Sequence, residues 1–547
     1  MTVELMQRGN NPMKNLPIYR VATVEPSIDR MNDLAAQMFD LDDFSLQETD
    51  DGRVLQSANK VIEIGRETGT MWAVDYDRFL QPDAEVELPD RNEAPIIAQK
   101  FVSRHELLPR TERDDRITVQ PLGAASSFVA TYDQETGKRT DRNLDYNVAY
   151  SVRMMVKDPE ADAIRPVPVV DGSGKINVVV GHRGQVIAYN GGWRPIETAD
   201  IEAPYMPREV VDDSFKQMTS WLDVQSFDAD LAYAVGQDWT GQRYLYPVWA
   251  YRATANVRGR AMPLRIITLP ATEFGPQPQP MEYHLPRVKH VKPEGSKIPM
   301  LGRGPRASSG YEAGTHWIGT SGGLSGSKKN AQGFVDGLKN AGWNIRFNWG
   351  DYNAWEDDWH ENDDQYVDDA DFVFYTGHAD GNGWMLYDPG TTNADSLHWT
   401  EVNEPNDRWG RQDLEWVVVA ACGPLQDDLL SPGGGNVLNR WGGAFDGLHL
   451  LMGYGAVTFD NQSEGKTLIK YARQGKTLAE AWRRTAQEIQ PAENGYGAPN
   501  GPRIYVGVMW ASKSGQTSPF NDHLWGYGSV APDPTRPHNL SCMWWPT

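Results

Sequence analysis

Two apolar runs decide how this chain is read: Asp371-Phe-Val-Phe-Tyr-Thr-Gly-His378-Ala379-Asp380 and Leu414-Glu-Trp-Val-Val-Val-Ala-Ala-Cys422-Gly423. Each is short and rich in β-branched and aromatic residues, the pattern of a strand buried on both faces of a parallel sheet. Each ends in a reactive group, an imidazole in one and a thiol in the other. In open α/β sheets ligands and chemistry collect beyond the carboxyl ends of strands, where both side chains fall. A thiol and an imidazole brought together there are the minimum for nucleophilic catalysis, because the imidazole can take up and return a proton.

Around these runs, strand and helix patterns alternate. Residues 316–319 read as a short strand. Ser327 is placed to cap a helix whose apolar face is Ala331, Phe334, Val335, Leu338 and Ala341, with Gly342 as its stop. Residues 345–349 give a second strand. Beyond the cysteine, 437–447 suit a helix and 448–457 a strand. Thr477 and Glu480 form a capping box for a helix carrying Leu478, Ala481, Trp482 and Ile489, and 504–509 is the predicted last strand. Such alternation predicts an α/β domain, a mostly parallel sheet with helices on both faces. Cys542, in a Pro- and Trp-rich tail with no strand before it, reads as structural.

Upstream, residues 271–310 turn to Pro, Gly and Ser with scattered base at Arg287, Lys289, Lys292, Lys297, Arg303 and Arg306. Such a stretch cannot bury a core and reads as a linker, with its basic residues as candidate cleavage points. It divides a region 1–270 from a domain 311–547. The first region predicts an α+β arrangement of helices on antiparallel sheets, in two submodules near 1–135 and 136–270. Its expected helices are at 28–38, 92–107 and 212–222. Its expected strands are at 19–24, 145–156, 176–180, 185–189, 244–253 and 264–269. The helix before Leu107-Leu108-Pro109, with the later Asp-Gly and Gly-Gly-Trp turns, resembles the PepSY and cystatin-like modules, which implies a pro-region or regulatory role.

Composition narrows the function. At 547 residues the chain holds roughly three or four units of ordinary domain size. A net charge of -22 argues against nucleic acid or an anionic membrane as partner, since phosphate binding needs clustered Lys and Arg. No run approaches the roughly 20 apolar residues that span a bilayer. The opening residues lack an apolar signal core, so a cytoplasmic address is the default expectation, with an extracellular one open to export by another route or removal of a leader. Two cysteines exclude a disulfide framework. Twenty Trp residues point to filled cores or to sugar-stacking surfaces.

A strand ending in His and a small residue, followed by another ending in Ala-Cys-Gly, resembles the caspase-like cysteine peptidases, the group of caspases, legumains, gingipains, clostripain and separases. The resemblance covers about 311–512. It implies a caspase-like fold, Cys422 as nucleophile and His378 as general acid and base. It also implies an oxyanion hole from the backbone N–H groups of Cys422 and Ala379, and a His–Cys pair often too far apart for a tight ion pair. Gly is usual at the position of Ala379; Ala fits only with a negative φ. A free thiol, with a pKa of about 8.5, is only slightly ionised at neutral pH, so it needs such help. Asp380, Gly423 and Trp384 are the expected pocket residues. The implied function is peptide hydrolysis through an acyl-enzyme, with self-processing in the linker, a protein or peptide as substrate and no required cofactor. The alternatives are a fold that binds or assembles without turnover, and a transpeptidase or ligase on the same site.

The acidic stretch from Glu356 to Asp371 is the remaining candidate. Its oxygen density makes Asp363, Asp364 and Asp368 candidate Ca²⁺ ligands, although no EF-hand spacing is present. Its charge also suits selection of a Lys or Arg substrate; a solvated acidic loop is the plainer reading.

Overall fold

A computed structural model describes residues 14–22, 27–39, 44–49, 52–66, 68–111, 114–236, 243–275, 277–278 and 310–547. The basic residues of the linker lie outside the described residues.

The two apolar runs form neighbouring strands, here β3 (Phe372–Thr376) and β4 (Trp416–Ala420), paired in parallel with Phe372 opposite Trp416 and Thr376 opposite Ala420. Around them lie β1 (Glu312–Trp317), β2 (Asn344–Gly350), β5 (Leu450–Tyr454), β6 (Tyr505–Ser512) and β7 (Asn539–Pro546), in the spatial order 2-1-3-4-5-6-7. The first five strands in that order are parallel, and β6 and β7 are antiparallel. The molecule is therefore mixed α/β, and its strands are antiparallel or mixed over most of their extent.

Alternate residues of β3 and β4 serve two cores. Phe372, Phe374, Trp416 and Val418 pack beneath helices α1 (Ser327–Lys339), α2 (Glu464–Arg473) and α3 (Leu478–Ile489), which contribute Phe334, Leu468 and Trp482. Gly342, in the left-handed region at φ +86°, carries the chain out of the turn after α1 as expected. Thr477 caps α3 by accepting the Glu480 N–H at 3.2 Å. Ser327 is instead the first residue of its helix, behind Gly326.

The opposite face corrects the expectation of helices on both sides. Val373, Tyr375, Val417 and Val419 pack against Trp359, Trp384, Trp409 and Trp441. The cover over them is short 3-10 turns, the five-residue helix Val437–Trp441 and a three-stranded antiparallel sheet of Ala379–Asp380, Gly383–Tyr387 and Ala394–His398. The connection from β3 to β4 is thus a β-flap where the alternation rule expects a helix, and large indole surfaces supply the apolar area a helix would bury. Many of the tryptophans fill cores: Trp359, Trp384, Trp409, Trp416, Trp441, Trp482, Trp544 and Trp545 are all fully buried, whereas Trp221 is half exposed.

The final strand is also corrected. The expected strand 504–509 falls in the penultimate strand, β6, which starts at Tyr505, and Cys542 lies buried in β7, opposite Met509 on one side and Ala130 on the other. Through β7 the sheet continues into the N-terminal half, pairing with Ile117–Asp133 and onward through Lys138–Lys157 to a run of hairpins. A second antiparallel sheet is built on Tyr244–Val257, which pairs with Asp223–Ala234, Arg260–Pro263 and Ile267–Pro270. The helices of this half are Ile28–Phe39, Ala94–Arg104 and Arg208–Met218. The last starts four residues earlier than its pattern suggested, directly after Pro207, which cannot continue a helix N-terminally. The expected strand 264–269 is shorter, beginning at Ile267; Leu264, Arg265 and Ile266 leave the second sheet and enter the C-terminal half.

Candidate active site

His378 and Cys422 each lie two residues beyond the last residue of adjacent parallel strands, and both are fully buried. The His378 ring is fixed from two sides. Its Nδ1 accepts the backbone N–H of Arg265 at 3.1 Å, and its Nε2 lies 2.7 Å from the Gly322 carbonyl oxygen. A backbone N–H can only donate and a carbonyl can only accept, so the proton sits on Nε2 and Nδ1 is the basic nitrogen. Gly322 must lack a side chain: a Cβ there would stand 3.3 Å from the imidazole and 2.6 Å from Ile318.

The Cys422 sulfur accepts the Thr458 N–H at 3.4 Å. Among the described residues no hydrogen bond joins it to His378. Burial holds the imidazole down at about 4 and pushes the thiol up to about 11. Both groups are therefore neutral at pH 7. This is a resting thiol and imidazole, and no ion pair.

The backbone beside both groups suits an oxyanion. The Cys422 N–H donates to no acceptor among the described residues. Ala379 is absent from the residues of positive φ, so the condition for Ala in place of Gly is met. Gly423 has φ +70°, and a Cβ on it would meet Gln426 at 2.9 Å. Gly423→Ala is expected to cost roughly 1–2 kcal/mol from the left-handed backbone alone, read by urea denaturation; a variant as stable as the parent would contradict this.

The other expected site residues are placed differently. Trp384 is a core residue, stacked on Trp441 with ring centroids 5.2 Å apart. Asp380 accepts the N–H groups of Asn382 and Gly383 at 2.8 and 3.1 Å, shaping the turn of the flap. Asp368 accepts the N–H groups of Gly410 and Gln412, and Asp363 that of Asp364. Among the described residues, Asp363, Asp364 and Asp368 do not form a group whose ligand atoms all lie within 4.8 Å of one another. The groups of potential ligands among the described residues whose atoms do come within 4.8 Å are Glu356, Asp357 and His360, and separately Asp371, Asp413 and Glu415. A surface cleft of about 970 Å³ between the hairpins near 47–76 and helices α2 and α3 contains neither Cys422 nor His378.

The residue that sequence reasoning missed is Arg265, which is fully buried between the strand ends. Its Nη1 donates to Thr376 Oγ1 at 3.2 Å and to the Ala420 carbonyl at 2.8 Å, the last residues of β3 and β4. Its Nη2 donates to the Phe459 carbonyl at 2.6 Å and to both oxygens of Glu464 at 3.2 Å. Glu464 also receives Asn330 Nδ2 at 2.9 Å, the Tyr454 hydroxyl at 2.7 Å and Gln490 Nε2 at 3.0 Å. Burial opposes the arginine charge, but Glu464 and Asp460 outweigh it and hold its pKa above the ordinary value. Main-chain bonds seat the same segment: the Ile266 N–H donates to Thr458 O and the Asp460 N–H to Ile266 O, each at 2.9 Å. A lone Arg in the apolar run Leu264-Arg-Ile-Ile-Thr-Leu269 was the available signal, since a buried charge must be paired.

With the geometry described, the comparisons can be placed on it. Residues 312–547 match a family model, Domain of unknown function (DUF6345). That span begins with β1 and takes in β7, His378, Cys422 and Glu464, and it excludes Arg265. No curated protein matches the chain. Among the described residues, no helix is long and apolar enough to cross a membrane.

The imidazole gives a pH-dependent stability whose sign follows from its burial. The unfolded chain takes up the proton near the ordinary His value of about 6.5, the folded chain only near about 4. Protons in that window favour the unfolded state, so stability falls as pH drops through it. The full difference is about 3 kcal/mol. In His378→Gln the loss between pH 6.5 and 4 is expected to be smaller by that amount in urea titrations; parallel pH profiles for the two proteins would contradict the assignment.

Proposed function

We propose that the C-terminal half is a caspase-like cysteine peptidase held in a covered state. The observation that carries the reading is the pair of adjacent parallel strands delivering His378 and Cys422 to one end of the sheet, with the imidazole oriented by Gly322 and a Cys422 N–H that has no acceptor among the described residues. A nucleophile, a base fixed by a third group and an oxyanion donor are the parts that acyl transfer needs.

In the uncovered site the Cys422 thiol passes its proton to His378 Nδ1 and its sulfur attacks the substrate carbonyl carbon. The electron pair displaced onto oxygen is met by the N–H groups of Cys422 and Ala379, on the order of ~3 kcal/mol for each well-placed donor. The C–N bond then breaks as Nδ1 gives the proton to the departing amine. Water adds to the thioester, losing a proton to Nδ1, and the sulfur leaves and regains it. In the covered state this cycle cannot start, because the Arg265 N–H occupies Nδ1 and no water reaches the thiol.

Complete burial of both reactive groups favours a second reading, a non-catalytic assembly module in which Arg265 ties the two halves together. One experiment separates them. The full chain with Leu264, Arg265 and Ile266 replaced by Gly is incubated with a pool of diverse peptides, and new termini are read by mass spectrometry. The peptidase reading expects cleavage by this variant and none when Cys422→Ala is added. A folded variant that cleaves nothing would establish the assembly reading.

A further inference from the structure

The cradle around Arg265 has an asymmetry that points to a ligand. Every group that receives the guanidinium comes from the C-terminal half: Thr376 from β3, Ala420 from β4, Phe459 from the segment after β5, and Glu464 from the start of α2. The groups that hold Glu464 in place, Asn330 of α1, Tyr454 of β5 and Gln490 beyond α3, come from the same half. The whole acceptor set therefore belongs to the span that matches a family model by itself, residues 312–547, and the cation belongs to the region before it. A fully buried carboxylate aimed into a slot of carbonyl and hydroxyl oxygens is costly without a cation, and the planar two-sided arrangement suits a guanidinium better than an ammonium.

The slot also lies in the right place. Its walls are the carboxyl ends of the two strands that carry His378 and Cys422, and the backbone of its occupant touches both the His378 ring, through the Arg265 N–H, and the segment whose Thr458 N–H contacts the Cys422 sulfur. A side chain seated there brings its own main chain against the reactive groups.

Resting on the peptidase reading, we propose that this slot is the specificity pocket of the site, that the ligand class it takes is the arginine side chain of a peptide, and that Arg265 is an internal occupant that must withdraw before a substrate arginine can enter. The selecting acid is Glu464, in place of the acidic stretch at 356–371, whose Asp358, Asp363 and Asp368 are themselves buried. Arg265 itself is a positioning and blocking residue: it fills the pocket by its side chain and occupies the base by its N–H. Withdrawal of residues 264–266 frees both at once, so pocket and base become available together.

The test uses the full chain carrying Arg265→Ala, with agmatine as a free guanidinium probe and N-carbamoylputrescine as its uncharged ureido counterpart. Agmatine is expected to raise the thermal unfolding midpoint of Arg265→Ala by several degrees. It should leave the wild type and Arg265→Ala/Glu464→Gln unmoved, and the ureido compound should do nothing. An equal response to both compounds, or one that survives Glu464→Gln, would overturn the proposal. If Arg265→Ala does not fold, Arg265→Lys keeps a cation beside Glu464 but gives up the two-sided contact, and agmatine should still stabilise it in a Glu464-dependent way.

A second arm separates this proposal from the reading it rests on. Peptidyl acyloxymethyl ketones ending in Arg, Leu or Asp are offered to the chain with glycine at 264–266, in which both the pocket and the base are uncovered, and modification of Cys422 is timed by intact mass. A preference for the arginyl reagent of roughly 10- to 100-fold is expected from charged hydrogen bonds gained in a buried slot. Equal rates for all three reagents would overturn the pocket assignment and leave the peptidase reading standing. Glu464-dependent binding of agmatine with no reaction at Cys422 by any reagent would support the guanidinium pocket and remove the peptidase.

Discussion

Glu464→Gln is expected to lower the stability of the folded protein by about 3–5 kcal/mol, the usual consequence of removing one partner from a buried ion pair. Arg265 and Glu464 are both fully buried, and the other acceptors of the guanidinium are a neutral hydroxyl and two carbonyls. These oxygens satisfy N–H groups but do not neutralise the charge. Glutamine keeps the shape and one acceptor oxygen, so the loss reports the missing charge and not a cavity. Adding Arg265→Met to the same protein should restore most of the stability, because a buried pair replaced as a whole by neutral side chains is often no worse than the pair itself. Urea denaturation of the two single variants and the double variant gives the coupling directly. A Glu464→Gln protein within about 0.5 kcal/mol of the wild type, the range of a neutral surface change, would show that Arg265 is not held by this carboxylate.

The second large effect is on turnover. In the chain uncovered by glycine at 264–266, Cys422→Ala is expected to reduce peptide cleavage by at least ~10³-fold; loss of the nucleophile from a working serine triad costs ~10⁶-fold. The fold should survive, since the thiol is a small buried group whose hydrogen-bonded neighbour among the described residues is Thr458. Initial rates on the best peptide from the pool, with circular dichroism to show that both proteins are folded, measure this. Equal rates with and without Cys422 would move the chemistry to another residue.

Much of the C-terminal half was legible because β3 and β4 are buried on both faces. A continuous run such as Phe372-Val-Phe-Tyr leaves few alternatives to a central strand, and its end placed His378 correctly. The helices α1 and α3 were readable for a different reason, a clear apolar face and local stop or capping signals at Gly342 and Thr477. The second face of the sheet was not readable. Its cover is a flap and tryptophan-bearing turns, whose indoles meet from residues as far apart as Trp359 and Trp441, and no local periodicity marks such packing. β7 was missed because Pro537 and Pro546 bracket it and hide a short apolar run, Cys542-Met-Trp-Trp545, of the kind that forms buried strands.

The site was half legible for a related reason. The reactive pair announces itself by residue type at strand ends. The cover does not, because Arg265 and Glu464 are separated by 199 positions and each has an ordinary local reading, a charge near a strand and an acid in the first turn of a helix. Only the fold brings them into one slot. The same distance explains why the acidic stretch 356–371 drew attention: local charge density is visible in a sequence, and a single buried carboxylate is not.

The most direct test of the covered-peptidase claim is the intact mass of the chain after exposure to a peptidyl acyloxymethyl ketone. The expected result is no adduct on the wild type, one adduct on the 264–266 glycine variant, mapped to Cys422, and loss of that adduct when His378→Ala is added. An adduct that forms equally without His378, or that falls on Cys542, or a glycine variant that remains folded and unmodified, would contradict it.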